Sequence, residues 1–158
     1  MARGTPATVA LAKSGVAFTL HEYDYDPYAA RVGLQAADAL GIEPPRLLKT
    51  LMAKAGGDVF CVLLASDREL NLKRLAAAAG AKDATMLAPP EAERVTGYHV
   101  GGISPFGQRR RVRAFIDAAA LGFPTVFVNG GRRGLQVELA PADLVRMLDA
   151  ATAELTSG

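Results

Sequence analysis

The chain has 158 residues, of which 50% are hydrophobic and 22% charged. This length fits one domain, which we assign to residues 1–158, and the composition excludes a disordered or fibrous protein. No apolar run approaches the roughly 20 residues that cross a bilayer, and the N-terminus lacks the apolar stretch of a secretion signal, so we expect a cytoplasmic protein. The net charge of +2 means that affinity for nucleic acid must come from local patches.

Capping residues and hydrophobic periodicity predict the elements of the first half of the chain. A helix begins at Thr5 and Pro6, an N-cap followed by proline at the first helical position, and ends at Gly15. The elements that follow are a strand over Ala17–Tyr23, a helix over Leu34–Leu40 closed by Gly41, a turn and strand over Arg46–Met52, a hairpin turn over Gly56–Asp58 and an apolar strand over Val59–Leu64.

The second half is predicted in the same way. It contains helices over Leu70–Ala79 and from Pro89 to Thr96, a glycine-rich loop over Gly97–Gly107, strands over Val112–Ile116, Thr125–Val128 and Leu135–Leu139, and a final helix that begins at Pro141. The elements do not alternate regularly as βαβ units. We therefore predict a single-domain α+β fold, with a mixed, largely antiparallel and barrel-like sheet surrounded by helices.

The standard signatures of catalysis are absent from the sequence. It contains no HExxH, paired CxxC, GxSxG or Walker A motif. The two histidines, His21 and His99, are far apart and have no obvious ligand partners, so we expect neither a metal site nor a cofactor. The only cysteine, Cys61, lies in an apolar strand and is interpreted as an inert core thiol.

Two features remain as candidates for a site. The Gly97–Gly107 loop can bring backbone N–H groups close to a ligand and cradle a carboxyl oxygen, although an ordinary connection has the same composition. Lys49 lies among apolar residues and can hold a phosphate or orient a carbonyl, although an exposed strand lysine gives the same pattern. Two arginine clusters can bracket an RNA backbone or form a solvated charged face. They are Arg109, Arg110 and Arg111, and Arg132 and Arg133.

Six segments together resemble the YbaK family of aminoacyl-tRNA deacylases, which is related to the editing domain of bacterial prolyl-tRNA synthetases. They are Thr5–Ala7, His21–Pro27, Leu48–Leu51, Leu70–Lys73, Thr96–Gln108 and Asn129–Leu135. The resemblance implies an enzyme that acts in trans on tRNA(Pro) charged with cysteine, and also on Cys-tRNA(Cys), without a metal or a catalytic side-chain nucleophile. It implies that the thiol of the substrate cysteine attacks the ester and releases a thiolactone. It leaves open whether prolyl-tRNA synthetase is a partner.

The resemblance also implies the residues of the site. Lys49, Gly101 and Gly102 are the expected catalytic residues. The expected substrate-binding residues are Tyr23, Gly33, Thr50, Ile103, Ser104, Asn129 and Gly130, and the expected tRNA-binding residues are Arg109, Arg110, Arg111, Arg132 and Arg133.

The chain departs from the family pattern at three positions, which are Tyr25, Val32 and Asn129. These departures bear on the size of the pocket and hence on the preferred amino acid. A deacylase for another small amino acid, such as alanine or serine, is the alternative enzyme, and water would then attack the ester. A non-catalytic module that binds tRNA or a synthetase is the alternative outside the enzymes.

Overall fold

The computed structural model describes residues 4–29 and 34–157, and five α-helices and eight strands lie within these ranges. The helices are α1 (Pro6–Ser14), α2 (Gln35–Leu40), α3 (Leu72–Ala79), α4 (Pro89–Thr96) and α5 (Pro141–Leu148). The strands are β1 (Thr19–Glu22), β2 (Leu48–Ala55), β3 (Asp58–Ala65), β4 (Ala84–Met86), β5 (Arg113–Asp117), β6 (Val126–Asn129), β7 (Leu135–Leu139) and β8 (Ala151–Ala153). Short 3-10 helices cover Pro44–Arg46 and Ala118–Gly122.

The predicted α+β class is confirmed, but the single barrel-like sheet is instead two open sheets. The larger sheet has the order β4-β2-β3-β5-β8, and the smaller one has the order β1-β7-β6. The pairs β3-β5 and β5-β8 are parallel, and all other strand pairs are antiparallel. A single bridge between Leu47 and Phe127 connects the sheets where β2 begins. In the part of the chain that is described, no helix is long and apolar enough to cross a membrane.

Strand β3 is buried on both faces because helices and the second sheet cover it from opposite sides. Leu63 points into a core formed with α1, α5 and the smaller sheet. Its neighbours Val62 and Leu64 point into a core against α3, where Leu75 is fully buried. The alternation of side chains along a strand gives each face its own core. The larger sheet is therefore packed on both sides, and β2 is one of its strands, between β3 and β4.

The Gly97–Gly107 loop is fastened at several points rather than free. The Tyr98 hydroxyl donates to the Phe106 carbonyl, and the buried Ser104 hydroxyl accepts from the Phe106 N–H. The Gln108 side-chain amide donates to the Ser104 carbonyl at 3.0 Å. At the end of the loop, Gly107 lies directly against the Pro6 carbonyl of α1. The loop therefore presents a fixed backbone to the neighbouring cavity.

The close contact at Gly107 predicts a large loss of stability when a side chain is added there. A Cβ at Gly107 would lie 2.5 Å from the Pro6 carbonyl oxygen, whereas a Cβ at Gly15 would meet nothing within 4 Å. Both glycines have a left-handed φ, +65° and +77°, so Gly15→Ala isolates the backbone cost of about 1–2 kcal/mol. We expect Gly107→Ala to lower the free energy of unfolding by roughly 1–3 kcal/mol more than Gly15→Ala does. Urea denaturation measures both, and equal losses would contradict the contact.

Candidate active site

A cavity of about 440 Å³ lies between the start of β2, the glycine-rich loop and the smaller sheet. We call it the lysine cavity. Six of the predicted site residues line it, namely Tyr23, Lys49, Thr50, Gly101, Ile103 and Asn129. The other polar lining residues are Tyr25, Ser66 and Gln136, and the apolar lining includes Leu51, Met52, Met86, Leu87 and Ala92. The structure thus brings together predicted site residues that are up to 106 positions apart, from Tyr23 to Asn129.

Lys49 is held by the backbone of β2 and leaves its ammonium free. It pairs with Leu64 of β3 in the antiparallel ladder, which fixes its position along the strand. Its side chain is half-buried, and among the described residues no hydrogen bond or ion pair joins it. A partly buried ammonium without a protein partner retains three N–H donors for a ligand. Lys49 is therefore suited to bind an oxygen of a ligand in this cavity.

Two residues that line the lysine cavity each have a buried oxygen with no hydrogen-bond partner among the described residues, the Thr50 hydroxyl oxygen and the Gln136 amide oxygen Oε1. Gln136 is only 6% exposed. A buried polar atom without a partner costs free energy, and such atoms occur where a ligand completes the hydrogen bonds. A ligand in the cavity whose donor group, such as an ammonium, reached either oxygen would complete its hydrogen bonds.

Gln136 was not predicted from the sequence because strand β7 alternates regularly. Leu135, Val137 and Leu139 are almost fully buried, so the pattern places Gln136 and Glu138 on the outer, solvated face. Glu138 follows the pattern and is partly exposed, whereas Gln136 lies where that face meets the lysine cavity. No local sequence signal distinguishes the two.

Tyr23 and Tyr25 form the side of the cavity next to the Gly130–Gly134 turn. The Tyr23 N–H donates to the Gly134 carbonyl at 3.0 Å, which ties the end of β1 to the turn. Burial raises the pKa of the Tyr23 hydroxyl above its ordinary value, so the hydroxyl stays protonated at neutral pH. The Tyr25 ring lies under the Arg133 guanidinium, whose carbon is 5.2 Å from the ring centroid.

Gly102 is in contact with the backbone of the turn that carries Arg132 and Arg133, and Gly101 lies against the Arg133 side chain. A Cβ at Gly102 would lie 2.9 Å from Arg132 Cα and from the Arg133 nitrogen. The Gly102 N–H donates to the His99 carbonyl at 2.9 Å and is therefore occupied. The Gly101 N–H donates to no group among the described residues. Of the two N–H groups predicted to cradle a carbonyl oxygen, Gly101 alone has its donor free.

Three other predicted substrate-binding residues support the loops. The Asn129 side chain accepts from the Gly131 N–H at 2.7 Å and donates to the Arg132 carbonyl at 3.1 Å, so its amide mainly closes the turn. Gly130 is buried, and its carbonyl accepts the Thr5 hydroxyl. Ser104 is fully buried inside the glycine-rich loop. Gly130 and Ser104 do not line the lysine cavity. Their hydrogen bonds instead stabilise the turn and the glycine-rich loop that border it.

The two arginine clusters lie in different places. Arg132 and Arg133 line a second cavity of about 560 Å³ together with Glu93, His99, Val100, Gly102 and Gly131, and we call it the arginine cleft. Arg109, Arg110 and Arg111 are exposed, and Arg111 lines a separate cavity of about 300 Å³ beside Cys61. The predicted Gly33, and Val32 before it, lie outside the described residues.

The described lining of the lysine cavity contains hydroxyls and an ammonium but no carboxylate, imidazole or thiol. Among its lining residues that are described, none is aspartate, glutamate, histidine or cysteine. Cys61 is 2% exposed, and burial raises the pKa of its thiol to about 12. His21 pairs with Glu138 at 2.9 Å, and His99 lies beside Glu93 at 3.6 Å. Over the described ranges, no group of three or more potential metal ligands occurs.

The unpartnered oxygen of Gln136 predicts an unusual response to mutation. Gln35 is the matched control, because it is 8% exposed and its amide makes two hydrogen bonds to the backbone of Asp26, at 2.6 and 2.8 Å. We expect Gln35→Met to lower the free energy of unfolding by about 1–3 kcal/mol, because it leaves the Asp26 groups without partners. Gln136→Met should leave stability unchanged or raise it. Thermal and urea unfolding measure both, and a loss in Gln136→Met as large as in Gln35→Met would show that Gln136 has a partner in the protein.

The chain is similar to known proteins both in sequence and in fold. Residues 29–147 match the family described as the aminoacyl-tRNA editing domain. A protein of Enterococcus faecalis named as a candidate Cys-tRNA(Pro)/Cys-tRNA(Cys) deacylase, EbsC, is 37% identical over 123 residues, which are 77% of this chain and 74% of that protein. A proline–tRNA ligase of Acidithiobacillus ferrooxidans is 35% identical over 92 residues, which are 58% of this chain but only 16% of the ligase. The crystal structure of a candidate trans-editing enzyme for prolyl-tRNA synthetase superposes with a TM-score of 0.86 at 25% identity, covering 99% of this chain and all of the other.

Proposed function

Because the chain belongs to the aminoacyl-tRNA editing domain family, we propose that it removes a wrongly attached amino acid from tRNA, with cysteine on tRNA(Pro) as its main substrate. The E. faecalis relative carries a name of the same activity and extends it to Cys-tRNA(Cys). We propose further that residues 1–158 act as one domain, which works in trans on charged tRNA. The proposal needs no metal and no cofactor.

The observation that supports the proposal most directly is the composition of the lysine cavity. It presents a free ammonium and a free backbone N–H, and its described lining offers no carboxylate, imidazole or thiol. Such a site can hold an ester and stabilise negative charge, but it has no evident group to activate water. A nucleophile that the substrate itself supplies suits such a site, and the thiol of an esterified cysteine is one.

The reaction that follows is an intramolecular acyl transfer. The cysteine sulfur attacks its own carbonyl carbon, and the bond from that carbon to the ribose oxygen breaks. The thiol proton passes to the departing ribose oxygen, so the products are a cysteine thiolactone and tRNA with a free terminal hydroxyl. Intramolecular attack gains most of its rate from alignment, and a rigid cavity supplies this alignment.

Lys49 and Gly101 are proposed to stabilise the charges that develop during this step. The Gly101 N–H would donate to the carbonyl oxygen as it becomes an oxyanion, because its donor is unoccupied. The Lys49 ammonium would bind the terminal ribose and favour departure of its oxygen. Tyr23 borders the pocket with a protonated hydroxyl, since its pKa is raised.

Thr50 and Gln136 are proposed to recognise the α-ammonium of the amino acid. Each lines the cavity and has a buried oxygen without a partner among the described residues, and an ammonium would supply the missing donors. The apolar lining of Met52, Leu87 and Ile103 suits a small, weakly polar side chain such as that of cysteine. A site with buried, unpaired acceptors discriminates strongly against ligands that lack the matching donor.

Lys49→Ala tests the assigned centre. We expect kcat/KM for cysteinyl-tRNA(Pro) to fall by roughly 100-fold or more, as for the loss of one oxyanion-stabilising group, while the unfolding midpoint stays near that of the wild type. Lys54→Ala is the matched control, because Lys54 lies on the same strand and pairs with Glu91 at 3.6 Å outside the cavity. Near-normal turnover by Lys49→Ala would reject the assignment.

A panel of charged tRNAs tests the nucleophile. We expect the protein to deacylate Cys-tRNA(Pro) but not the same tRNA charged with S-methylcysteine, whose sulfur carries no proton to pass to the ribose oxygen. Deacylation rates on Ala-tRNA(Pro) and Ser-tRNA(Pro) show whether water can attack the ester. The same rates measured with prolyl-tRNA synthetase present show whether the synthetase is a partner. Rapid hydrolysis of the S-methylcysteinyl ester would exclude thiol attack. Binding of tRNA without release of any amino acid would exclude a deacylase.

A further inference from the structure

The lysine cavity and the arginine cleft share one wall. Val100 lines both, and Gly101 on the cavity side is followed by Gly102 on the cleft side. The rest of the wall is the stacked pair of Tyr25, which lines the cavity, and Arg133, which lines the cleft. The free Gly101 N–H therefore lies at the junction of the two spaces.

Arg133 is the uncompensated cation of the cleft. Arg132 is paired with Glu22 at 3.0 Å, and the Glu93 carboxylate accepts the Val100 N–H at 2.8 Å and lies 3.6 Å from His99. Among the described residues, no carboxylate pairs with Arg133. One of its five guanidinium N–H groups donates to the Val100 carbonyl at 2.9 Å, which leaves several for a ligand.

We propose that the arginine cleft binds the terminal nucleotide of the tRNA and that Arg133 holds its phosphate. This inference rests on the proposed function, since it continues the substrate outward from the lysine cavity. With the ester at the Gly101 N–H, the ribose lies over the shared wall and its 5′ phosphate enters the cleft. The cleft volume of about 560 Å³ is in the usual range for sites that hold small molecules.

The position of Arg133 distinguishes it from the other arginine cluster. Its stacking on Tyr25 and its bond to Val100 hold the guanidinium at the cavity wall before any ligand binds. Such a preorganised fork is well suited to bind phosphate oxygens in pairs. Arg109, Arg110 and Arg111 line neither the lysine cavity nor the arginine cleft, so we do not assign this phosphate to them.

Steady-state kinetics of Arg133→Ala on two substrates test the inference. For cysteinyl-tRNA(Pro) we expect KM to rise about tenfold with kcat nearly unchanged, and the dependence of log KM on log salt to lose about one unit of slope. For 3′-O-cysteinyl-adenosine, which has no phosphate, we expect no change. Arg146→Ala is the control, because Arg146 is an exposed arginine that pairs with Asp143 on α5.

Binding of an uncharged RNA tetranucleotide that ends in CCA provides a test that does not need catalysis. We expect Arg133→Ala to weaken this binding about tenfold at low salt and Arg133→Lys to restore part of it. If Arg133→Ala raised KM equally for cysteinyl-tRNA(Pro) and for 3′-O-cysteinyl-adenosine, Arg133 would only support the loop. Unchanged binding of the tetranucleotide would also overturn the inference. If the wild type binds the tetranucleotide through Arg133 but deacylates nothing, the proposed function fails while the nucleotide site stands.

Discussion

The site depends on the close approach of two loops that are about 30 residues apart in the chain. Gly102 lies so near the backbone of Arg132 and Arg133 that a Cβ would come within 2.9 Å of it. This contact fixes the turn between β6 and β7 against the glycine-rich loop, and a bridge from Leu47 to Phe127 joins the two sheets where β2 begins. Helix α1 reinforces it, because Thr5 bonds to the Gly130 carbonyl. The part of the wall that the glycine-rich loop forms is therefore held by backbone packing, which fixes distances more closely than flexible side chains do.

The polar groups around the cavity divide into satisfied and unsatisfied ones. The Asn129 amide is hydrogen-bonded within the turn, and the Gly102 N–H donates to the His99 carbonyl, so both residues stabilise the loops. Thr50 and Gln136 instead line the cavity and each have a buried oxygen without a partner among the described residues. Buried oxygens without a partner lower the free energy of unfolding, and ligand binding can compensate for this cost. Such a trade of stability for function is common at binding sites.

Local signals in the sequence predict much of the fold, and long-range contacts account for what they miss. Thr5 does cap α1, and Gly97 does end α4, because caps depend on neighbouring residues. Strands β4 and β8 have three residues each and gain their pairing from β2 and β5, so nothing within them predicts a strand. The assembly of Tyr23, Lys49 and Gly101 in one cavity follows the family resemblance, whereas Gln136 and the occupied Gly102 donor depend on the three-dimensional structure.

The burial of Cys61 has a consequence for a protein proposed to handle activated cysteine. A thiolate near a cysteinyl ester or a thiolactone would capture the acyl group and form a thioester with the protein. The only thiol of this chain is 2% exposed, has a pKa of about 12 and lies beside the Gln108 amide, outside the lysine cavity. It is therefore protected both from acylation by the product and from disulfide exchange with the released amino acid.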